Sequence, residues 1–106
     1  MKAYVYPAVF HPNSDGSFTI LYPDLPGCIS EGKTLENALY MAQDALTQWV
    51  AYCVEAGEEI PEASRLRDVR VDTTAGEFAN LIRTEISGGH ASRRRVSVPR
   101  RRVLYA

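Results

Sequence analysis

The sequence predicts a small α+β domain in which three meandering strands lead through a helical crossover to a fourth strand, with one face of the sheet covered by the helix. Aromatic and β-branched residues alternate over the first third of the chain, and one long amphipathic helical pattern follows. The length of 106 residues allows one domain with a modest core. At 45% hydrophobic and 24% charged residues, the composition excludes disordered and fibrous proteins.

The first third of the chain predicts a hairpin and a short third strand. Residues 4–11 are rich in aromatic and β-branched types, and residues 17–22 alternate after a cluster of turn formers that ends in Asp-Gly. Proline has no N–H for a ladder, so Pro7 places the first strand at a sheet edge or at a bulge. Residues 28–32 form the short third strand.

One long helix is predicted over residues 35–56. Thr34 is a good N-cap, Gly57 suits the C′ position, and Pro61 blocks continuation. The apolar positions recur at helical spacing and form one stripe: Leu35, Ala38, Leu39, Ala42, Ala45, Leu46, Trp49, Val50 and Cys53.

The pattern weakens beyond the helix. Residues 69–72 favour a short strand, and residues 74–85 favour a second, weaker helix with Phe78 on its apolar side. A flexible Ser-Gly-Gly joint comes next. We therefore divide the chain into a domain over residues 1–86 and a Gly-linked basic tail over residues 87–106.

Charge is distributed very unevenly. The formal net charge is −1, but residues 1–92 hold six Lys+Arg and all thirteen Asp+Glu, a net charge of −7. Residues 93–106 hold six arginines and no acid, a net charge of +6. An acidic body with a basic tail points to two partners of opposite character.

No known catalytic motif is present. There is no phosphate-binding glycine loop, no nucleophile elbow and no paired-cysteine metal spacing, so we expect neither a metal nor another cofactor. We interpret Cys28 and Cys53 as buried hydrophobic residues in a reducing cytoplasm. No apolar run is long enough to span a bilayer, and no signal peptide is recognisable, so we expect no membrane association.

Asp24 and a cluster of acids near the helix end are candidate sites. Asp24 either closes an Asx-turn or stands as a lone acid at a strand end, and one carboxylate cannot hold the two metal ions of metal-dependent phosphodiester hydrolysis. The acids near the helix end favour a solvated acidic face over a metal site: Glu55, Glu58, Glu59 and Glu62.

The tail is the candidate nucleic-acid-binding segment. Residues 95–98 alternate and could form a strand that presents Arg95 to a DNA groove, and clustered arginines also bind phosphates without sequence preference. A basic end without fixed structure is the alternative. The candidate residues are Arg93, Arg94, Arg95, Ser97, Arg100, Arg101 and Arg102.

Five segments, in order, resemble the HicB family of antitoxins over roughly residues 3–72. They begin with Tyr-Pro-Ala-Val-Phe-His at residues 6–11, followed by residues 15–20 and by Tyr-Pro-Asp-Leu-Pro-Gly-Cys at residues 22–28. Thr-Leu-Glu-Asn-Ala at residues 34–38 and Ile-Pro-Glu-Ala-Ser at residues 60–64 complete the series. Each segment is a weak signal alone, and the ordered series is specific.

The resemblance implies a partial ribonuclease-H-like domain that has lost its nuclease function. It implies a partner, a small basic HicA-type toxin that cleaves mRNA with a histidine and whose active site the antitoxin covers. It also implies a C-terminal DNA-binding domain that represses the operon, and homodimers or tetramers. Residues 94–99 are similar to the strand that opens a ribbon-helix-helix domain, but the two helices that should follow are missing.

Our leading hypothesis is therefore a cytoplasmic, non-enzymatic antitoxin. The expected toxin-binding residues are Tyr22, Asp24, Leu25, Glu55, Glu58 and Glu59. One alternative is a nucleic-acid-binding protein that acts through the tail. The other is a residual nuclease that uses Asp24, although residues 4–10 lack the second acid that it needs.

Overall fold

The described part of the chain is a four-stranded antiparallel sheet with one long helix against it. The computed structural model describes residues 1–87, so the predicted tail residues Arg93 to Arg102 lie outside the described part. The strands are β1 (Lys2–Pro12), β2 (Phe18–Leu21), β3 (Ile29–Gly32) and β4 (Phe78–Ile86), and the helix is α1 (Leu35–Ala56). The strand order is β3-β2-β1-β4. The predicted α+β class with a helix-covered sheet is confirmed.

The core lies between α1 and one face of the sheet. Alternate residues of β1 (Tyr6, Ala8 and Phe10) point to this face, and their neighbours in the sheet include Ile20 and Ile82. The helix contributes the centre of its apolar stripe: Ala38, Ala42, Leu46 and Val50, all fully buried. Small residues at two of these positions let the helix approach the sheet closely.

The helix begins and ends where the sequence predicts. The Thr34 hydroxyl accepts a hydrogen bond from the Asn37 N–H at 3.1 Å, which satisfies one free donor of the first turn. Gly57 adopts the left-handed conformation with φ of 72°, and the N–H of Glu58 reaches back to the Cys53 carbonyl.

The predictions for residues 69–72 and 74–85 are wrong. Residues 69–72 form no strand, and a short 3₁₀ turn at Thr73–Ala75 leads into β4, which is the fourth strand. Phe78 and Ile82 fit a helical spacing, but Ile82, Thr84 and Ile86 are buried in strict alternation with exposed residues. Residues 78–86 form a strand rather than a helix because they pair with the otherwise unpaired side of β1 over nine residues.

The prediction from Pro7 is corrected, because β1 is a central strand of the sheet and pairs with β4 through Pro7 without a bulge. The β1–β2 ladder begins at Val9, so Pro7 has a strand neighbour only on the β4 side, where it faces Leu81. The carbonyl of Arg83 accepts a hydrogen bond from a helix side chain, so it points away from β1. Leu81 lies two residues before Arg83 in the same strand, so its backbone N–H and C=O also point away from β1. The Pro7–Leu81 pair is therefore a non-hydrogen-bonded pair, which needs no N–H from proline.

The free edge of β4 is partly covered by side chains. Gln43 of α1 donates to the Arg83 carbonyl at 2.9 Å, and the Asn80 side chain accepts from the Leu81 N–H at 3.0 Å. Groups that would otherwise pair with another strand are thereby occupied, which limits edge-to-edge association.

Candidate partner-binding surface

Two of the expected toxin-binding residues lie in the core. Leu25 is fully buried, and Tyr22 is 4% exposed with its hydroxyl donating to the Ala42 carbonyl at 2.6 Å. Burial raises the pKa of the Tyr22 hydroxyl far above its usual value, so it stays protonated. Both side chains are therefore covered by other parts of this chain, and their expected contact with a toxin stays a prediction. The alternation in the sequence placed Tyr22 on one strand face but could not show that the helix covers that face.

The Asp24 carboxylate has a hydrogen-bonding partner within the chain. Its carboxylate accepts two hydrogen bonds from Ser64, one from the backbone N–H at 2.8 Å and one from the hydroxyl at 2.7 Å. These bonds hold the connector between α1 and β4 against the loop that follows β2. No local sequence pattern indicates this pair, because the two residues lie 40 positions apart.

A groove opens between the first half of β1 and the C-terminal end of α1. Its lining combines aromatic and aliphatic side chains (Tyr4, Tyr6, Val54 and Ile60) with the carboxylates of Glu58 and Glu62 and the ammonium of Lys2. The Tyr6 hydroxyl donates to the Pro61 carbonyl, so the connector forms one wall. We call this feature the tyrosine groove. Sequence reasoning missed it, because its walls come from three separate segments.

Carboxylates influence the titratable groups of the tyrosine groove. Burial, followed by the charge of Asp24, raises the pKa of the Tyr6 hydroxyl, with a smaller contribution from Glu62. Burial, followed by the charge of Glu58, raises the pKa of the Cys53 thiol. Both groups are therefore neutral near pH 7, and the net charge of the groove comes from its carboxylates and Lys2.

The expected acids at the helix end are all exposed. Glu55 lies in the last turn of α1, and Glu58 and Glu59 follow the helix directly. The last turn of α1 contains no basic residue. The partial negative charge of a helix C-terminus adds to these carboxylates. This end of the molecule therefore attracts cationic groups.

The two cysteines are buried, as predicted, at 4% exposure for Cys28 and 3% for Cys53. Burial raises the pKa of the Cys28 thiol to about 12. Within residues 1–87, no three His, Cys, Asp or Glu side chains come together as metal ligands. In the same part of the chain, no helix is long and apolar enough to cross a membrane.

Comparison with known proteins identifies the class of this fold. The family model described as the HicB-like antitoxin of bacterial toxin–antitoxin systems matches residues 6–104. That match covers nearly the whole chain, and the chain belongs to this family. The resemblance of residues 3–72 to HicB antitoxins is thereby confirmed.

One curated relative is Antitoxin HicB 2 of Photorhabdus laumondii, which is 34% identical over 77 residues, or 73% of this chain and 55% of the relative. The chain thus matches about half the length of this relative, and it matches 36% of the length of Antitoxin HicB 1 from the same organism.

Solved structures share the fold. One is a toxin–antitoxin complex from Streptococcus pneumoniae, with a TM-score of 0.72 and 16% identity over 93% of this chain and 83% of that chain. Another is the HicA3 and HicB3 toxin–antitoxin complex, with a TM-score of 0.61 and 19% identity over 74% of this chain and 95% of that chain. At these identities the likeness establishes the fold alone.

Proposed function

We propose that this chain binds and neutralises a small basic HicA-type ribonuclease toxin, without catalysis of its own. The observation that carries the proposal is membership of the HicB-like antitoxin family over residues 6–104. One solved relative of the same fold is a complex of HicA3 with HicB3. The expected cytoplasmic location and the homodimer or tetramer belong to the same proposal.

The charge of the described body supports a basic partner. Residues 1–87 carry thirteen acids and six bases, and the exposed acids Glu55, Glu58 and Glu59 stand together at the helix end. A surface of this sign accelerates association with a cationic protein, and it opposes simultaneous RNA binding at the same place. We therefore keep these three acids and Asp24 as the proposed toxin-binding residues.

Protection of cell growth and of mRNA against an induced toxin tests the proposal. A HicA-type toxin from the same source would be induced in a host cell with and without the full chain, and cleavage of a reporter mRNA would be measured. We expect the chain to restore growth and to suppress cleavage, and co-purification to give a complex of fixed stoichiometry. Unchanged cleavage despite soluble chain would contradict the proposal.

A charge-matched pair of variants separates binding at the helix-end surface from attraction to the general charge of the chain. The triple change of Glu55, Glu58 and Glu59 to Gln is expected to slow toxin association by about tenfold at low salt, since rim charges act mainly on the association rate. The control changes three acids elsewhere, Glu31, Glu36 and Asp44, to their amides. Equal effects of the two triples would indicate general charge rather than this surface.

The arginines of residues 93–102 favour a second function, binding of operator DNA and autorepression. Six arginines within ten residues can neutralise several phosphates. A gel-shift titration with operator and unrelated duplexes at several salt concentrations tests this. Binding should fall steeply with salt and be lost when the six arginines become Gln, and preference for the operator would indicate sequence-specific repression.

The residual nuclease is the weaker alternative. The Asp24 carboxylate accepts two hydrogen bonds from Ser64, and β1 contains no acid. Incubation of the chain with an RNA–DNA hybrid and Mg²⁺ tests the alternative directly. Cleavage that is abolished by Asp24→Asn would establish a nuclease.

A further inference from the structure

The end of β4 delivers the rest of the chain to the tyrosine groove. Ile86, the last residue of β4, pairs with Lys2, and both Lys2 and Tyr4 line the groove. Adjacent strands lie about 5 Å apart. Six residues, 87–92, separate Ile86 from the first arginine, so Arg93 lies at most about 25 Å from the end of β4. Residues 93–102 are therefore tethered within reach of the groove.

The chemistry of the groove suits an arginine side chain. Its aromatic and aliphatic side chains can pack against a guanidinium plane, and the carboxylates of Glu58 and Glu62 are part of its lining. The Lys2 ammonium already lies 5.3 Å from the centre of the Tyr4 ring, which is a cation–π contact. The last turn of α1 carries no base of its own, so the helix C-terminus is open to an added cation.

We propose that the arginine-rich segment 93–102 of the same chain docks in the tyrosine groove. Guanidinium groups stack against the aromatic wall and pair with Glu58 and Glu62. A tether of six residues gives the segment an effective concentration of the order of millimolar, so weak contacts suffice for occupancy. The docked segment and a basic protein partner compete for one surface, and docked arginines are withdrawn from nucleic acid. This inference does not depend on the identity of the toxin.

Amide chemical shifts of the full chain test the docking. In a tail-neutral variant, all six arginines of the segment are changed to Gln. At low salt, we expect the amides of Val54, Gly57 and Glu62 to differ between the native chain and this variant, while the turn at Gly16 stays the same. At about 0.5 M salt the two spectra should coincide at the groove, because screening weakens exposed ion pairs. Identical groove shifts at low salt would overturn the proposal.

A matched pair of variants locates the contact. In the native chain, the double change Glu58→Gln with Glu62→Gln should move the shifts of Val54 and Gly57 toward the tail-neutral values. The double change Glu31→Gln with Glu36→Gln removes the same charge beside the N-terminal end of α1 and should leave those shifts in place. Equal effects of both pairs would mean diffuse attraction and would overturn docking at the groove.

A free peptide of residues 88–106, titrated into the tail-neutral chain, measures the affinity in trans. We expect saturable shifts at the same groove amides, and about threefold weaker binding in the Glu58→Gln, Glu62→Gln background. Dilution of the native chain distinguishes its own segment from that of a second copy. Groove shifts that are independent of concentration support the proposal, whereas shifts that vanish on dilution assign the occupant to another molecule and overturn it.

Discussion

Gly32 shows how one residue sets the distance between the sheet and the helix. A Cβ atom at this position would lie 2.3 Å from the Cα of Ala38 and 2.5 Å from its nitrogen. Both atoms are backbone, so the start of α1 cannot yield without moving as a whole. A glycine here is therefore a packing requirement between β3 and α1.

We expect Gly32→Ala to lower the free energy of unfolding by about 3 kcal/mol, because overpacking against backbone leaves no side chain to rearrange. Urea denaturation followed by Trp49 fluorescence measures it. Gly57→Ala is the control: its Cβ meets nothing within 4 Å, and only the left-handed φ of 72° costs stability, about 1 kcal/mol. A loss at Gly32 no larger than the loss at Gly57 would contradict the steric account.

The buried thiols should react only when the chain unfolds. The Cys28 pKa of about 12 leaves almost no thiolate at pH 8, and both sulfur atoms are shielded from reagent. We expect a disulfide reagent at pH 8 to modify Cys28 and Cys53 at least a hundredfold more slowly in buffer than in urea. An added surface thiol, Ala63→Cys, should react at once in both. Rapid loss of all three thiols in buffer would refute the burial of the pair.

At the scale of elements, strong local signals predicted α1, and competing periodicities misassigned β4. The cap residues Thr34 and Gly57 lie next to the elements that they end, so the sequence locates them. Residues 74–85 contain apolar residues that satisfy both a helical and an alternating spacing. The choice between them depends on the unpaired side of β1, about 70 residues earlier in the chain, which no local window contains.

The same reasoning applies to the candidate site. The acids at the helix end lie within five residues of one another in the sequence, and the structure confirms their exposure. The tyrosine groove is assembled from β1, α1 and the connector, so spacing alone could not predict it. The burial of Tyr22 and Leu25 was also not predictable from the sequence, because a conspicuous motif fills a core as readily as it forms a surface.

The Glu77 carboxylate before β4 makes contacts whose contribution to stability depends on pH. Glu77 accepts hydrogen bonds from the Asp72 N–H at 2.9 Å and pairs with His11 at 2.8 Å. These contacts, with the backbone bond first, lower the pKa of the Glu77 carboxyl. A carboxyl with a depressed folded pKa stabilises the fold above its unfolded pKa, near 4.3, and this contribution is lost as the pH falls through the folded pKa.

We therefore expect Glu77→Gln to be less stable than the native chain at pH 6, and the difference to shrink toward pH 3. Urea midpoints at both values measure it. Glu59→Gln, an exposed acid without a described ion pair, serves as the control and should shift neither midpoint. A Glu77 difference that grows on acidification would reverse the assigned sign.

At the scale of the whole molecule, the connector between α1 and β4 is held at few points. Asp24 binds Ser64, the Tyr6 hydroxyl binds the Pro61 carbonyl, and Glu77 binds His11. The residues between these anchors are mostly exposed. Local opening of this segment therefore requires the loss of only a few contacts.

We expect Asp24→Ala to increase tryptic cleavage after Arg65 and Arg67 by about tenfold, because two hydrogen bonds to Ser64 are lost. Mass spectrometry of the fragments over time measures it. Asp44→Ala, which removes the same charge from α1, should leave the cleavage rate unchanged. Equal rates in the native chain and Asp24→Ala would mean that the pair does not restrain the connector.

The antiparallel pairing of Lys2 with Ile86 brings the start of β1 and the end of β4 together at one end of the sheet. A pull on the chain beyond Ile86 would load this ladder at its last pair and peel β4 away pair by pair, as a zipper opens. Shearing a ladder breaks many pairs at once, and peeling breaks them in turn. An ATP-driven unfoldase that pulls from the arginine-rich segment would therefore meet little mechanical resistance, whatever the equilibrium stability of the fold.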